Sequence, residues 1–279
     1  MGENSKIEWT THTFNPWWGC TKVSEACKHC YAESWAKRVG QKVWGPKAER
    51  RMFSDQHWMQ PLRWNRLAEG QASRPRVFCA SMADVFEERD ELTAPRARLW
   101  DLIEATPNLD WLLLTKRPQN VMRLAGFGAT WPKNVWLGTT VELQARAEEL
   151  LPHLALVPAA VRFISAEPLL GPLTIEPWLG STINWVITGG ESGPKARPAS
   201  PAWFRSLHAQ CMAANVAFHF KQWGDWAPGQ GINLPERKAL KSKKAADGTT
   251  MFRVGKRIAG RNLDGSEWDE LPRVAAASR

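Results

Sequence analysis

Short runs of β-branched and aromatic residues recur along this chain. Each is followed by a polar turn and then by a stretch of helical periodicity, and this rhythm is what most limits the folds open to it. The pattern predicts strands over residues 7–13, 76–81, 110–115, 134–140, 161–166, 184–188 and 216–221. Helices are predicted between them over 30–39, 94–105, 143–151 and 201–214, several opening on a cap or proline such as Ser200-Pro201. Strands that alternate with helices pair in parallel, because each crossover needs a helix. The expected fold is therefore α/β: a partial or full (β/α) TIM-type barrel of six to seven parallel strands, with an open doubly wound sheet as the competing arrangement. With 279 residues, 43% of them hydrophobic, the chain has enough apolar side chains for such a core.

Nearly every predicted strand ends in a polar cluster. These read Ser81-Met82-Ala83-Asp84, Thr115-Lys116-Arg117-Pro118, Thr139-Thr140-Val141-Glu142, Ser165-Ala166-Glu167-Pro168, Thr188-Gly189-Gly190-Glu191-Ser192 and Lys221-Gln222-Trp223-Gly224. In a barrel the C-terminal strand ends meet on one face, where the chemistry is built. One such cluster is readily a helix cap; six in register point to a functional rim.

The formal charge of +9 favours a polyanionic partner, with general solubility as the plainer reading. Seventeen tryptophans stand beside a single tyrosine. Most are expected to pack, and a few beside a basic groove would stack on bases. Residues 1–228 are expected to form the barrel, and 229–279 a basic loop and C-terminal extension packed on it. Five of the eight residues from Arg237 to Lys244 are basic, which reads as an exposed loop or, more sharply, as a nucleic-acid contact. A last strand over 251–259 and a turn at Leu263-Asp264-Gly265 complete the expected organisation. No apolar run approaches the roughly 18 residues of a membrane helix, and Met1–Lys6 has no apolar targeting core. The expectation is a cytoplasmic chain without a membrane partner.

Five cysteines are an odd set for a disulfide framework, and Cys20, Cys27 and Cys30 fall within eleven residues as C-x6-C-x2-C. Cys79 and Cys211 lie in apolar contexts as buried thiols. By spacing alone the triplet suits a structural zinc site, with His12 or His29 as a fourth ligand. The barrel context favours an iron–sulfur cluster, because a chain with a large core has little need of a zinc staple. Three thiolates leave one iron of a cubane cluster open.

The residues Trp9, Asn15-Pro16-Trp17-Trp18-Gly19-Cys20-Thr21-Lys22-Val23-Ser24 and Cys27-Lys28-His29-Cys30-Tyr31-Ala32-Glu33 resemble the opening of the phage-associated three-cysteine-motif proteins, a radical-SAM-like family. The resemblance continues through Ser81–Phe86, Leu114–Pro118, Ser165–Leu169, Thr188–Gly193, Phe220–Gly224 and Gly260–Gly265, and so spans essentially the whole chain. It implies a barrel of the radical S-adenosylmethionine (SAM) kind. Cys20, Cys27 and Cys30 would ligate a 4Fe–4S cluster, and S-adenosyl-L-methionine on the open iron would be cleaved to a 5′-deoxyadenosyl radical. The pattern departs from C-x3-C-x2-C in its longer first gap. His29 stands where an aromatic residue usually packs near the adenine. The sole Gly-Gly-Glu, Gly189 to Glu191, follows the sixth strand rather than the second.

On this resemblance Ser81 and Asp84 are candidates for the SAM amino group, and Thr139, Thr140 and Glu142 for its ribose. Glu167 and Glu191 would bind ribose or polar substrate groups, or else be buried carboxylates paired with Lys116, Arg117 or Lys221. Glu167 and Lys116 are also candidate catalytic groups, and Lys116, Arg117 and Lys221 would meet phosphate or carboxylate. Gly189 and Gly190 would allow close backbone approach to the cofactor, and Trp17, Trp18 and Trp223 would wall the site or stack on a base. Tyr31 and Cys79 are candidate hydrogen-atom donors, with packing the plainer reading of both.

The implied partners are a nucleic acid, DNA first, and an electron donor such as a flavodoxin or ferredoxin, in the host cytoplasm if the chain is phage-encoded. The implied reaction is hydrogen abstraction from a nucleic-acid-linked substrate, with isomerisation of an amino-acid-modified thymidine in phage DNA as the specific expectation. A radical SAM lyase or repair enzyme, and a zinc-stapled nucleic-acid-binding protein without enzymatic activity, are the alternatives.

Overall fold

The computed structural model describes residues 2–127, 130–229 and 240–273. Seven of its strands form the main sheet: β1 (His12–Thr13), β2 (Arg76–Cys79), β3 (Asp110–Thr115), β4 (Val135–Thr140), β5 (Arg162–Ala166), β6 (Trp185–Gly189) and β7 (Ala217–Gln222). Their order across the sheet is their order along the chain. A doubly wound sheet reverses its order at a switch point. No reversal occurs here, so the fold is the partial (β/α) barrel type, with β1 and β7 as the sheet's edges.

The helices are α1 (Tyr31–Arg38), α2 (Asp55–Leu67), α3 (Thr93–Glu104), the single turn α4 (Val121–Leu124), α5 (Gln144–Ala155) and α6 (Pro201–Ala213). They fill the crossovers, except that β5 reaches β6 through only a 3-10 turn at Glu176–Trp178. All residues of β4 and of β6 are buried, as expected for parallel strands covered on both faces.

Two compact units are distinguished within the chain. The first comprises Met1–Thr139 with Pro152–Arg162, and the second Thr140–Leu151 with Phe163–Arg279. In the first, β1 pairs with β2, β2 with β3 and β3 with β4, all parallel. The core holds Phe14, Trp111, Leu112 and Leu113, all fully buried. Helix α2 was not legible as a helix, since Pro61 falls in its interior; burial of Trp58, Pro61 and Trp64 holds it in place.

In the second unit β5, β6 and β7 pair in parallel. A separate antiparallel sheet places Thr250–Arg253 between Trp226–Pro228 and Ser242–Lys244. The strand expected over 251–259 stops at Arg253, and Lys256–Ala259 forms a helical turn after Gly255. Of the basic run, 237–239 lie outside the described residues; Ser242–Lys244 is an exposed edge strand rather than a loop. Asp264 (φ 54°) and Gly265 (φ 88°) both take positive φ in the hairpin joining Asn262–Leu263 to Ser266–Glu267, the conformation for which an Asp-Gly pair is suited. Among the described residues no helix is long and apolar enough to cross a membrane.

Candidate functional site

The first unit gathers its chemistry just beyond the C-terminal ends of β1, β2 and β3. Residues Trp17–Trp18 pair antiparallel with Arg51–Met52. The chain then enters the cysteine loop, whose first residue is pinned through its backbone: Gly45 donates to the Cys20 carbonyl at 3.0 Å, and Gly19 to the Met82 carbonyl at 3.0 Å. Cys27 lies in a 3-10 turn, Glu25–His29, and Cys30 is the residue before α1. His29 is in the same turn and half-buried.

All three thiols are half-buried and free of disulfides, whereas Cys79 and Cys211 are buried, as expected. Burial, reinforced by Asp84, pushes the Cys20 thiol up to about 12, against the pull of Arg117. Burial also raises Cys30, opposed by the Glu33 and Ala32 amides and by the Lys116 ammonium.

Two buried arginines hold the loop, and neither was legible in this role. Arg50 grips both oxygens of Glu87 (2.8 and 3.0 Å), the Thr21 hydroxyl (3.0 Å) and the carbonyls of Val43, Gly45 and Ala48. Arg117 donates to Asp84 (2.8 Å), the Thr21 carbonyl (2.7 Å) and Cys20 Sγ (3.7 Å). Burial opposes the Arg117 charge, but Asp84 and Cys20 outweigh it and hold its pKa above the ordinary value.

Asp84 departs from its expected role. Its Oδ1 accepts from the Phe86 amide (3.1 Å) and the Thr115 hydroxyl (2.7 Å). Its Oδ2 accepts from the Lys116 amide (3.1 Å) and from Arg117. A carboxylate has about four lone-pair sites, so none remains for the amino group of a ligand. Arg117 is likewise engaged with the protein rather than open to phosphate. Ser81 exchanges hydrogen bonds with Asn15, and Tyr31 donates to its carbonyl at 2.8 Å.

Among the described residues no three His, Cys, Asp or Glu side chains stand together as a metal-ligand set. The donor chemistry nevertheless suits a thiolate-ligated cluster. Three free thiols share one loop, and burial keeps protons on Cys20 and Cys30 until a cation displaces them.

A family model described as "Protein of unknown function (DUF5131)" matches residues 4–272. The chain belongs to the DUF5131 family. No curated protein matches it. Solved structures of spore photoproduct lyase variants resemble this DUF5131 chain at a distance. A tyrosine-to-phenylalanine variant gives a TM-score of 0.49 at 15% identity. A cysteine-to-serine variant gives 0.48 at 15%, and a cysteine-to-alanine variant 0.46 at 14%. Each alignment covers 91% of this chain and 71% of the other.

The second unit of the DUF5131 chain has its own polar group. Lys221 in β7 donates to both oxygens of Glu167 (2.8 and 2.9 Å), just past β5, and Gln222 reaches the same carboxylate at 3.3 Å. The pair is only about one-sixth exposed on each side, so a carboxylate and an ammonium are held together in a half-buried pocket of charge. Glu191 has a partner that the sequence did not suggest. Arg197 engages both its oxygens (2.7 and 2.8 Å) and adds its amide at 2.8 Å.

Several other expected site residues are buried or held by the protein itself. Trp17 is 0% exposed and Trp223 4%, and the Trp223 indole N–H is bound to the Asn262 carbonyl at 2.7 Å; neither presents a ring for stacking. Trp18 is half-buried beneath the Arg51 guanidinium, 4.7 Å from its ring centre. Thr139 is buried with its hydroxyl on the Thr115 carbonyl, and Thr140 and Glu142 are buried as well. A Cβ on Gly190 would lie 1.9 Å from the Trp223 carbonyl oxygen, and one on Gly189 would lie 3.2 Å from that of Gln222. The close approach that Gly189 and Gly190 permit is to the chain itself.

Proposed function

We propose that this chain is a radical SAM enzyme in which Cys20, Cys27 and Cys30 hold a 4Fe–4S cluster. The observation that supports it most is the cysteine loop, with three free, half-buried thiols beyond the C-terminal ends of parallel strands, backed by the Arg50–Glu87 and Arg117–Asp84 pairs. With S-adenosyl-L-methionine bound, the cluster would supply one-electron cleavage to a 5′-deoxyadenosyl radical that takes a hydrogen atom from the substrate. The residues of this chain do the positioning. Arg117 and Arg50 fix Cys20 and Thr21, and the Lys116 ammonium favours the Cys30 thiolate. Half-burial of the loop limits water at the reacting centre.

For the second unit we assign substrate contact to Glu167 and Lys221. Their side chains offer an acceptor and a donor to the carboxylate, amine or phosphate of an incoming group. The charge of +9 supports a nucleic-acid-linked substrate, and DNA is the first choice. The finer reading is isomerisation of an amino-acid-modified thymidine, with a flavodoxin or ferredoxin as electron donor and the cytoplasm as its location.

The test is anaerobic purification with iron, sulfide and zinc determined per chain, followed by dithionite and S-adenosyl-L-methionine and assay for 5′-deoxyadenosine. Iron and sulfide in equal amounts, lost in Cys20→Ala, Cys27→Ala and Cys30→Ala, are expected. Stoichiometric zinc without sulfide would replace the enzyme reading with a zinc-stapled binding protein. A modified DNA base converted to a product of unchanged mass would establish isomerisation, and a split product a lyase.

A further inference from the structure

Helix α1 has two unlike faces. Ala32 and Ala36 are buried with Val43 and Met82, and Trp18, Cys30 and Trp44 pack on that small core. The other face carries Tyr31, Trp35 and Val39, which are 60%, 42% and 42% exposed. At successive spacings of four they stand on neighbouring turns of one side. Tyr31 is tethered through its hydroxyl to the Ser81 carbonyl at 2.8 Å, yet large parts of its ring and of the Trp35 ring face solvent, and a contiguous exposed apolar face marks an interaction site.

The charge around them indicates its kind. From Cys20 to Arg51 the chain has eight Lys and Arg against three Glu, a surplus of five within a total of +9. Arg50 is buried on Glu87, but Lys28, Lys37, Arg38, Lys42, Lys47 and Arg51 are exposed. The Arg38 guanidinium stands 6.0 Å from the centre of the Trp35 ring, so cation and aromatic are neighbours. Glu33 takes up Lys22 and Lys37 (2.6 and 2.7 Å), and an exposed ring beside the remaining surplus of cations suits a strand whose bases stack while its phosphates are neutralised. An acidic protein surface would satisfy the cations but leave the rings without flat partners. A second copy of this face would bring like charges together.

We propose that the exposed face of α1, with Tyr31 and Trp35 as stacking platforms and Arg38 and Lys42 as phosphate contacts, is a docking surface for single-stranded nucleic acid. It rests on the nucleic-acid reading above and adds where the strand is held. Because α1 follows directly on Cys30, a strand seated there is brought up to the cysteine loop.

The test is fluorescence anisotropy of a fluorescein-labelled oligothymidylate of about 16 nucleotides with the full chain across a salt series. Trp35→Ala is expected to weaken binding about tenfold, while Trp35→Phe, which keeps a ring, stays within about threefold of the parent. Arg38→Ala with Lys42→Ala, both exposed, is expected to lower the slope of log K against log salt by about 1.4, two single-strand phosphate contacts at about 0.7 each. If the parent binds and all variants bind alike, the surface assignment is overturned while the nucleic-acid reading stands. If the parent does not bind at any salt, the nucleic-acid reading is overturned as well. Loss of self-association in Trp35→Ala, with oligonucleotide binding unchanged, would make the face a contact between copies instead.

Discussion

Arg117 and Asp84 are joined at 2.8 Å between Nη1 and Oδ2, with less than a tenth of either side chain exposed. Breaking a buried pair from one side strands the other charge, at a cost of about 3–5 kcal/mol. Asp84→Asn is therefore expected to lower the urea midpoint sharply. Because Arg117 also holds Cys20 and the Thr21 carbonyl, the variant should lose iron on purification even under conditions where it remains folded. Normal stability with only weakened S-adenosyl-L-methionine binding would instead restore Asp84 as a ligand for that cofactor.

The cysteines divide by access. Cys79 and Cys211 are fully buried, and burial pushes Cys211 up to about 12 and Cys79 higher still. The thiolate is the form that alkylates. Iodoacetamide on the native metal-free chain is expected to spare both and to modify the loop thiols, with Cys20 slow to react because burial and Asp84 hold its proton to about 12 against the pull of Arg117. Reconstitution with iron and sulfide should protect Cys20, Cys27 and Cys30 together. Mass spectrometry of the alkylated peptides reads both outcomes, and protection of only two of the three would remove one cysteine from the ligand set.

Six strands of the main sheet were legible because their apolar runs are local signals, and Asp110–Thr115 begins and ends where the pattern placed it; the strand expected over 7–13 is only His12–Thr13, since the residues before it turn. Helix α2 was not, because Pro61 reads as a break and what sustains the helix is the burial of Trp58 and Trp64 against residues remote in sequence. The cysteine triplet shares this local character. The saturation of Asp84 does not, since two of its four donors come from the turn after β3, about thirty residues on, and a third from the Thr115 hydroxyl. Nothing in a lone Arg50 announces that it spans Thr21, the 43–48 loop and Glu87. Spacing shows which groups can act; which of them are already satisfied depends on long-range contacts.

Asp110, at the start of β3, gives a pH dependence of known sign. Burial raises its carboxyl to about 6 from 3.8, and Arg74, 3.6 Å away, offsets only part of this. Its folded value lies above its unfolded one, so its contribution to stability is complete below about pH 4 and is lost as pH rises through 6. Asp110→Asn removes the titrating group. The variant is expected to match the parent near pH 4 and to exceed it at pH 7 by up to about 3 kcal/mol. Urea unfolding at both pH values measures this, and a variant weaker than the parent at pH 7 would show that the Arg74 pair outweighs burial.

Gly190 separates two accounts of the Gly-Gly-Glu segment. A glycine kept for a cofactor would accept alanine in the unliganded protein, with only ligand affinity lost. Here the added methyl would meet the Trp223 carbonyl oxygen at 1.9 Å. This contact is with backbone, which cannot swing aside as a side chain does. Gly224 closes the contact from the other side, since a Cβ there would lie 2.2 Å from the Glu191 carbonyl oxygen. Relief requires the end of β7 to move away from the end of β6, which pulls on the Gly190 amide bond to the Gln222 carbonyl, now 2.9 Å. Gly190→Ala is therefore expected to cost about 3 kcal/mol, the upper end for overpacking, and to shift the thermal midpoint down by several degrees without any ligand present. Gly193→Ala is a poorer control because its φ of 109° is itself strained for alanine, so Ser192→Ala, one residue nearer and without a backbone clash, sets the baseline. Equal midpoints for Gly190→Ala and Ser192→Ala would return the segment to a ligand-binding role.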